Sequence, residues 1–370
     1  MKTQRMILAG TMFGAAAVFG LGWPNAAQAQ QAPRVENPKF ETRALAGPLD
    51  TAFREIARQA DKPEWVGYSV AEIAGERTAC CGNYRDGDGE NCGTCRLEKD
   101  HDGSSGTTHT DGTVKLEGAQ QLFVLFRLEA KQVGKIRVAS EDCALDAGGL
   151  PFLWLTGVKP EESVALLKSF VNGAAIDGYG EHNTSNGALT AIALSADPAA
   201  DRAFASLVAT DQPERLRKHA AFWLGSARGK AGLPLLQKMA KSDPRSDVRG
   251  QVAFALSVSR EPEALNEMIR MAHDDESAHV RGQALFWLAH KAGQKAAAAI
   301  TGAIENDPDT EVKKKAVFAL SQMPKEEGVP KLIEVAKTNR NPAVRKQAMF
   351  WLGQSHDPRA LEFFEQVLTR

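Results

Sequence analysis

The sequence predicts a mostly helical protein, an α-solenoid preceded by a small α+β domain. Three observations predict this architecture: a gapless period of 32 residues in the C-terminal half, apolar positions in each period that share one helix face, and confinement of all five cysteines to the N-terminal half. A single helix pair cannot bury its own apolar stripe, so periodic pairs stack into one continuous core.

The period is clearest in five blocks that follow one another without an insertion. The blocks begin at Leu216, Val248, Val280, Val312 and Val344. In each block, the first residue and the residues four, seven and eight positions later are apolar and share one face of a helix. A second apolar pattern later in the block predicts a second helix. A degenerate sixth copy begins near Thr184, which gives about six helix pairs.

The blocks open with Val-Arg-x-x-Ala-x-x-x-Leu or a close variant, and an acidic residue stands six positions before the basic one. The acidic column is Asp211, Asp243, Asp275 and Asp307, with Asn339 in place of its last member, and the basic column is Arg217, Arg249, Arg281, Lys313 and Arg345. In these features residues 184–370 resemble the HEAT-repeat family, in particular bacterial HEAT-like repeats of the PBS-lyase type. The resemblance implies a right-handed solenoid in which these two columns link neighbouring repeats, since a carboxylate accepts guanidinium hydrogen bonds.

The position six residues after each block start is always phenylalanine. The five residues are Phe222, Phe254, Phe286, Phe318 and Phe350. The helical period points them away from the apolar face, beside Lys218, Lys314 and Lys346. The resemblance implies that this helix lines the concave surface, where exposed aromatic rings are typical of protein-binding grooves. Alternatively, each ring folds onto the next helix and thickens the core.

Three tryptophans occupy the next position in alternate blocks. They are Trp223, Trp287 and Trp351. This position belongs to the apolar face, so we expect the three indoles to pack in the core rather than to contact a partner.

The N-terminus has the order of a secretory signal peptide. Lys2 and Arg5 precede an apolar stretch, which ends in the small-residue sequence Ala27-Gln28-Ala29. A membrane anchor is the alternative, but the stretch is short and rich in glycine. We therefore expect cleavage after residue 29 and a periplasmic or secreted protein without a membrane span.

Composition divides the remaining chain into a flexible arm over 30–46, an α+β domain over 47–180 and the solenoid over 181–370. Within the α+β domain, we predict helices over 48–60 and 160–171, a strand over 65–70, and a hairpin with arms over 121–129 and 134–140. We expect its few strands to be antiparallel.

The cysteines of the α+β domain allow three interpretations. They are Cys80, Cys81, Cys92, Cys95 and Cys143. Disulfides fit best with export. A zinc site is the second interpretation, although two adjacent cysteines do not easily bind one metal. A redox Cys-x-x-Cys motif is the third, and no helix start follows its first cysteine. Because five is odd, one thiol is left free or pairs outside the chain.

The charge balance and the motifs favour a binding protein over an enzyme. Residues 184–370 carry a net charge of +4, which is mild for a nucleic-acid binder. The His-Glu dipeptides of the HEAT-type deoxyhypusine hydroxylases are absent from the sequence, and nothing marks the tetrapyrrole pocket of a bilin lyase. We predict an exported scaffold without a cofactor that binds a protein or peptide on its concave face. The alternatives are a metal- or redox-active cysteine domain and a HEAT-type lyase or oxidoreductase.

Overall fold

The structure, a computed structural model, describes residues 32–36, 39–74, 77–80, 83–86, 94–98, 104–105, 120–141, 143–176, 183–291 and 293–369. The predicted signal peptide, Cys81 and Cys92 lie outside the described residues, and so does the side chain of Cys80.

The described residues form an α+β unit followed by consecutive helices. The strands are β1 (Val35–Glu36), β2 (Lys39–Ala44), β3 (Glu64–Ala71), β4 (Arg77–Cys80), β5 (Asn83–Asp86), β6 (Thr94–Arg96), β7 (Ser104–Ser105), β8 (Gln121–Glu129), β9 (Gln132–Ser140), β10 (Ala144–Asp146) and β11 (Pro151–Thr156). The helices are α1 (Leu49–Gln59), α2 (Pro160–Lys168), α3 (Thr184–Leu194), α4 (Pro198–Leu207), α5 (Glu214–Ser226), α6 (Gly229–Ser242), α7 (Ser246–Val258), α8 (Glu263–Asp274), α9 (Ala278–Lys291), α10 (Gln294–Asn306), α11 (Thr310–Gln322), α12 (Lys325–Thr338), α13 (Pro342–Gln354) and α14 (Pro358–Leu368).

A five-stranded sheet in the order β2-β11-β3-β8-β9 forms the centre of the α+β domain. The predicted strand at 65–70, the hairpin and both helices are present as β3, β8–β9, α1 and α2. The expectation of antiparallel strands alone is wrong, because β11 runs parallel to both β2 and β3. The prediction of a flexible arm is also wrong over residues 39–44. These residues pair with β11 along their whole length, and their side chains are mostly exposed because β2 is an edge strand.

The sheet is buried on both faces, so its strands read as apolar runs rather than as alternating patterns. In β8, Leu122, Val124 and Phe126 belong to the main core with the helices, whereas Phe123 and Leu125 face a second core. The small sheet β1-β10-β6-β7 covers this second core.

The sheet packs directly against the first helix pair. Helix α3 lies on β9 so closely that a Cβ on Gly187 would come within 2.1 Å of the Ile136 carbonyl oxygen. The amide of Ile73 also donates to the carbonyl of Leu194, at the end of α3. One hydrophobic cluster extends from Leu49 in α1 to the last helix pair, so the α+β domain closes the first end of the stack.

The helices from α5 onward form two layers. The odd-numbered helices α5, α7, α9, α11 and α13 contact their odd-numbered neighbours along much of their length, whereas the even-numbered helices meet one another at few points. The layer with closer spacing must lie on the inner side of the curve. We therefore call α5, α7, α9, α11 and α13 the inner layer and α6, α8, α10, α12 and α14 the outer layer.

Buried ion pairs join successive repeats. The guanidinium of Arg249 donates to both carboxylate oxygens of Asp275 in the next loop, at 2.8 and 2.9 Å, and to the main-chain carbonyl of Asp243 in its own loop, at 2.9 Å. The hydrogen bond to Asp275 raises the pKa of Arg249 above its usual value. The same two-oxygen contact joins Arg217 to Asp243. The arginine and the aspartate that it binds through the carboxylate are thus 26 positions apart in the sequence. The residue six positions before the arginine contacts it through its main-chain carbonyl instead.

The row of ion pairs continues with Arg281 and Asp307 and then changes. The next two positions in the columns hold Lys313 and Asn339, which cannot form the same pair. The ammonium of Lys313 instead donates to the Glu305 carbonyl at 2.8 Å. The junction between α11 and α13 therefore depends on packing without a buried guanidinium–carboxylate contact.

We predict that Arg249→Met lowers the free energy of unfolding by about 3 kcal/mol, because the substitution leaves the buried Asp275 carboxylate without its partner. Urea denaturation followed by circular dichroism measures the loss. The matched control is Arg345→Met, since the Arg345 guanidinium donates to the main-chain carbonyls of Asn339 and Arg340. The control should lose less than about 1 kcal/mol. Equal losses in the two variants would contradict the role assigned to the ion pair.

Candidate functional site

A continuous row of eight aromatic rings runs along the inner layer. In order of contact the rings belong to Trp223, Phe222, Phe254, Trp287, Phe286, Phe318, Trp351 and Phe350. Successive ring centroids lie between 4.6 and 6.0 Å apart, the range in which aromatic pairs attract one another. We call this set the aromatic row.

The contacts within the aromatic row repeat every two helix pairs. Phe222 stacks on Phe254 with planes 12° apart, and Phe286 stacks on Phe318 with planes 10° apart. Between these stacked pairs, Phe254 tilts against Trp287 at 4.6 Å. The alternation follows from the residue after each phenylalanine, which is Trp in one repeat and Ala in the next.

The aromatic row is neither sealed in the core nor fully exposed. The five phenylalanines that we predicted at a binding surface are partly buried, apart from Phe350, which is 53% exposed. Each ring therefore does fold against the next helix, yet part of it stays open to solvent. The three tryptophans pack on the core side as expected, with Trp287 and Trp351 partly buried against the core. Trp223 is 5% exposed and belongs to the core.

The inner helices carry more cations than carboxylates, and the outer helices carry equal numbers of both. The inner helices carry eleven lysines or arginines and three carboxylates, whereas the outer helices carry nine of each. Three of the inner cations are the arginines of the buried ion pairs. Lys218 and Lys314 lie beside the aromatic row and contact Glu214 and Glu311 on their own helices, while Lys346 is exposed at the far end.

A depression of about 400 Å³ opens between α5, α7 and α9 on the same face. Its aromatic wall consists of Phe254 and Trp287, and Gln251 and Gln283 contribute amide groups. The lining also includes His279, whose Nε2 lies 3.8 Å from a carboxylate oxygen of Asp247. This face thus offers apolar rings, amides and cations side by side.

The two cysteines whose side chains the structure describes lie in the second core. Cys95 in β6 pairs with Leu145 in β10, and Cys143 stands just before β10. Both side chains are buried, and neither is a free thiol. The structure therefore places Cys95 and Cys143 under the small sheet and away from the aromatic row.

Two negative findings hold for the part of the chain that the structure describes. In that part, no helix combines the length and the apolar character needed to cross a bilayer. Nor do the described side chains include three His, Cys, Asp or Glu residues placed to hold one metal ion.

Comparison with known proteins identifies the repeat. A family model described as HEAT repeats matches residues 202–289 and 297–370. The C-terminal part of the chain is a HEAT-repeat domain. The match begins in α4 and includes both helices of every repeat that contributes to the aromatic row.

Solved structures with a similar arrangement are distant in sequence. Human deoxyhypusine hydroxylase in complex with glycerol is 18% identical, with 56% of this chain and 90% of that chain covered and a TM-score of 0.27. The complex of CpcE and CpcF of phycocyanin lyase from Nostoc sp. PCC7120 is 20% identical, with 42% and 99% covered and a TM-score of 0.32. Kap95p bound to RanGDP is 18% identical, with 57% and 32% covered and a TM-score of 0.37. No curated protein sequence matches the chain.

Sequence reasoning did not predict that the tryptophans would join the phenylalanines in one row of ring contacts. The alternation of Trp with Ala after the phenylalanine was visible in the sequence, but a single-helix projection placed it on the core side. Gly250, which lines the depression, and Gly282 replace the lysine found at the same position in the other three repeats. The interruption of this lysine column was the sequence signal available for the depression.

Proposed function

We propose that the chain is an exported scaffold whose HEAT-repeat domain binds an acidic segment of another protein on its inner layer. The aromatic row is the observation that carries this proposal. Leaving a large apolar side chain partly in water forgoes up to roughly 2 kcal/mol of burial free energy. Five successive inner helices repeat this exposure. The best explanation is a partner that completes the burial of the rings.

The excess of cations on the inner layer favours an acidic partner. Lysines flank the aromatic row at both ends, and complementary charge steers association and suppresses wrong partners. The outer layer offers no comparable excess of charge. The combination of partly open rings and cations suits a segment that carries both apolar and acidic side chains.

The ring geometry favours a protein over a single-stranded nucleic acid. Nucleic acids bind aromatic residues by stacking bases on open ring faces. In the aromatic row, the faces of Phe222 and Phe254, and those of Phe286 and Phe318, are turned towards each other. Rings stacked on one another leave less face free for a base.

Export and a disulfide framework are parts of the same proposal. The signal-like N-terminal sequence supports export to the periplasm or the medium. The burial of Cys95 and Cys143 in a small core, with neither a free thiol, supports disulfides over a zinc site in the α+β domain. The α+β domain then serves as the cap of the first repeat.

We predict that Phe286→Ser combined with Phe318→Ser abolishes capture of the partner from the envelope fraction of the source cells. The pair loses two stacked rings of the aromatic row, while its helix content measured by circular dichroism should stay unchanged. Phe286→Leu with Phe318→Leu keeps more of the packing and should weaken capture less.

The matched control for that experiment is Leu361→Ser with Leu368→Ser on the outer helix α14. These two side chains are 62% and 84% exposed, so the control removes exposed apolar surface away from the aromatic row. The control should capture the partner as the unaltered chain does. Capture that survives the phenylalanine changes, or that is lost in the control instead, would show that the inner layer is not the binding face.

We further predict that Lys314→Glu with Lys346→Glu weakens binding of the captured partner about tenfold, because like charges then face its acidic groups. Lys238→Glu with Lys295→Glu on the outer layer changes the net charge equally and should have little effect. Titration at two salt concentrations measures both, and binding by the unaltered chain should weaken as salt rises. Equal effects of the two double variants would argue against a basic inner face.

For the cysteines we predict one reactive thiol per chain in the purified, non-reduced and denatured protein, since two disulfides use four of the five residues. A thiol-reactive dye under denaturing conditions gives the count, and metal analysis of the same sample should give no stoichiometric zinc. Three or five reactive thiols together with bound zinc would instead support the metal site.

A further inference from the structure

Strand β2 forms one edge of the central sheet and pairs with β11 along one side. Among the residues that the structure describes, no strand pairs with its other side. Five of the six residues of β2 are exposed, and Phe40 is partly buried. The main-chain groups on the outer side of an edge strand are a template for pairing with a further strand.

The hydrogen bonds to β11 show which residues of β2 direct their main-chain groups outward. The Leu45 amide donates to the Thr156 carbonyl at 3.0 Å, in register with the parallel pairing of the two strands. Successive residues of a strand direct their amides and carbonyls to opposite sides. The odd-numbered residues therefore turn these groups towards β11. The main-chain groups of Phe40, Thr42 and Ala44 point out of the sheet edge, so an added strand must pair through them.

Two opposite charges stand on one face of this edge. The side chains of Glu41 and Arg43 are two positions apart and so lie on the same face of the strand. They contact each other at 2.9 Å and are 65% and 50% exposed. Each charged group thus keeps surface available for a second contact from a neighbouring strand.

The order of these residues makes β2 complementary to itself. If a second β2 lies antiparallel with Thr42 opposite Thr42, Glu41 of each copy stands opposite Arg43 of the other. In the same register Phe40 stands opposite Ala44, so every outward-directed residue meets another one. The three pairs of outward-directed residues give about six main-chain hydrogen bonds, two at each pair.

The charges also disfavour the neighbouring registers. Because outward-directed residues must meet one another, these registers are centred on Glu41 or on Arg43. The first places Glu41 opposite Glu41 and Lys39 opposite Arg43, and the second places Arg43 opposite Arg43. Like charges directly opposite each other destabilise a strand pair. One antiparallel register is therefore selected among those that keep most of the strand paired.

We infer that β2 is a dimerisation edge, through which two copies of this chain join their five-stranded sheets into one. The occupant is a second copy because the charges that complement β2 are those of β2 itself, as a twofold interface requires. The inference is independent of the proposed function, since none of its residues belongs to the aromatic row.

The decisive experiment reverses the two charges singly and together. Glu41→Arg alone and Arg43→Glu alone put like charges opposite each other, so each should weaken the dimer by about tenfold or more. The combined variant Glu41→Arg with Arg43→Glu restores opposite charges and should dimerise like the unaltered chain. An equimolar mixture of the two single variants should also dimerise, because each supplies the charge that the other lacks. Sedimentation velocity over a series of rising protein concentrations measures all four.

The matched controls change an exposed ion pair of the same type on α1. Arg58 and Glu55 contact each other there, with side chains that are 69% and 52% exposed. Glu55→Arg and Arg58→Glu should leave the dimer unchanged. The melting temperature of every variant should stay that of the unaltered chain, because all four positions are at the surface.

A cross-link tests the register directly. In the inferred dimer the two Thr42 Cα atoms lie about 5.5 Å apart, within the range that a disulfide bridges. Thr42→Cys should therefore form a covalent dimer with oxidised glutathione. Ala44→Cys, which faces Phe40 of the second copy, should not do so above the background that the unaltered chain gives.

Three results would overturn the inference. They are a chain that stays monomeric over the whole concentration series, a dimer that both single charge variants retain, and a cross-link that Ala44→Cys forms as readily as Thr42→Cys. A combined variant that fails to recover the dimer would contradict the register. Each result leaves the proposed function standing, because capture of the partner is measured separately.

Discussion

A buried guanidinium shared between two loops holds the repeats in a fixed relation to one another. Arg249 contacts the carboxylate of one loop and the main-chain carbonyl of the preceding one, so a rotation between repeats would break a charged contact in a buried place. The aromatic row depends on this constraint, because its rings meet only if successive inner helices keep the same register. Where Lys313 and Asn339 replace the pair, ring contacts still cross the junction, between Phe318 and Trp351. The rings there help to hold the register that the ion pairs hold elsewhere.

The aromatic row also shows how a 32-residue repeat can carry a 64-residue pattern. Alanine after the phenylalanine, as at Ala255, leaves room for two benzyl rings to stack in parallel. Tryptophan at the same position, as in Trp287, fills that room and forces a tilted contact. The face that results is not uniform. Stacked pairs alternate with indoles, and a partner that fits one register fits again only two repeats further along.

The solenoid could be predicted from the sequence because its determinants are local and repeated, and the HEAT repeats confirm it. Elements that form only by pairing with residues far away in the sequence could not be predicted in this way. Strand β2 is polar and lies at a sheet edge, so its pairing with β11 leaves no periodic signal. The mixed character of the sheet could not be predicted for the same reason, because the parallel pairing of β11 with β2 was not visible in the sequence. Trp287 packs against the core as a helical projection predicts, but a projection treats one helix alone and so does not predict the contact with Phe254 of the neighbouring inner helix.

In the proposed function, charge and shape on the inner layer act over different distances. Lysines at the flanking repeats act over several ångströms and affect how fast and in which direction a partner arrives. Shape acts only on contact, and the depression beside Phe254 and Trp287 supplies it. Lys218 lines the depression together with Phe254 and Trp287, so charge and shape act on the same part of the inner layer.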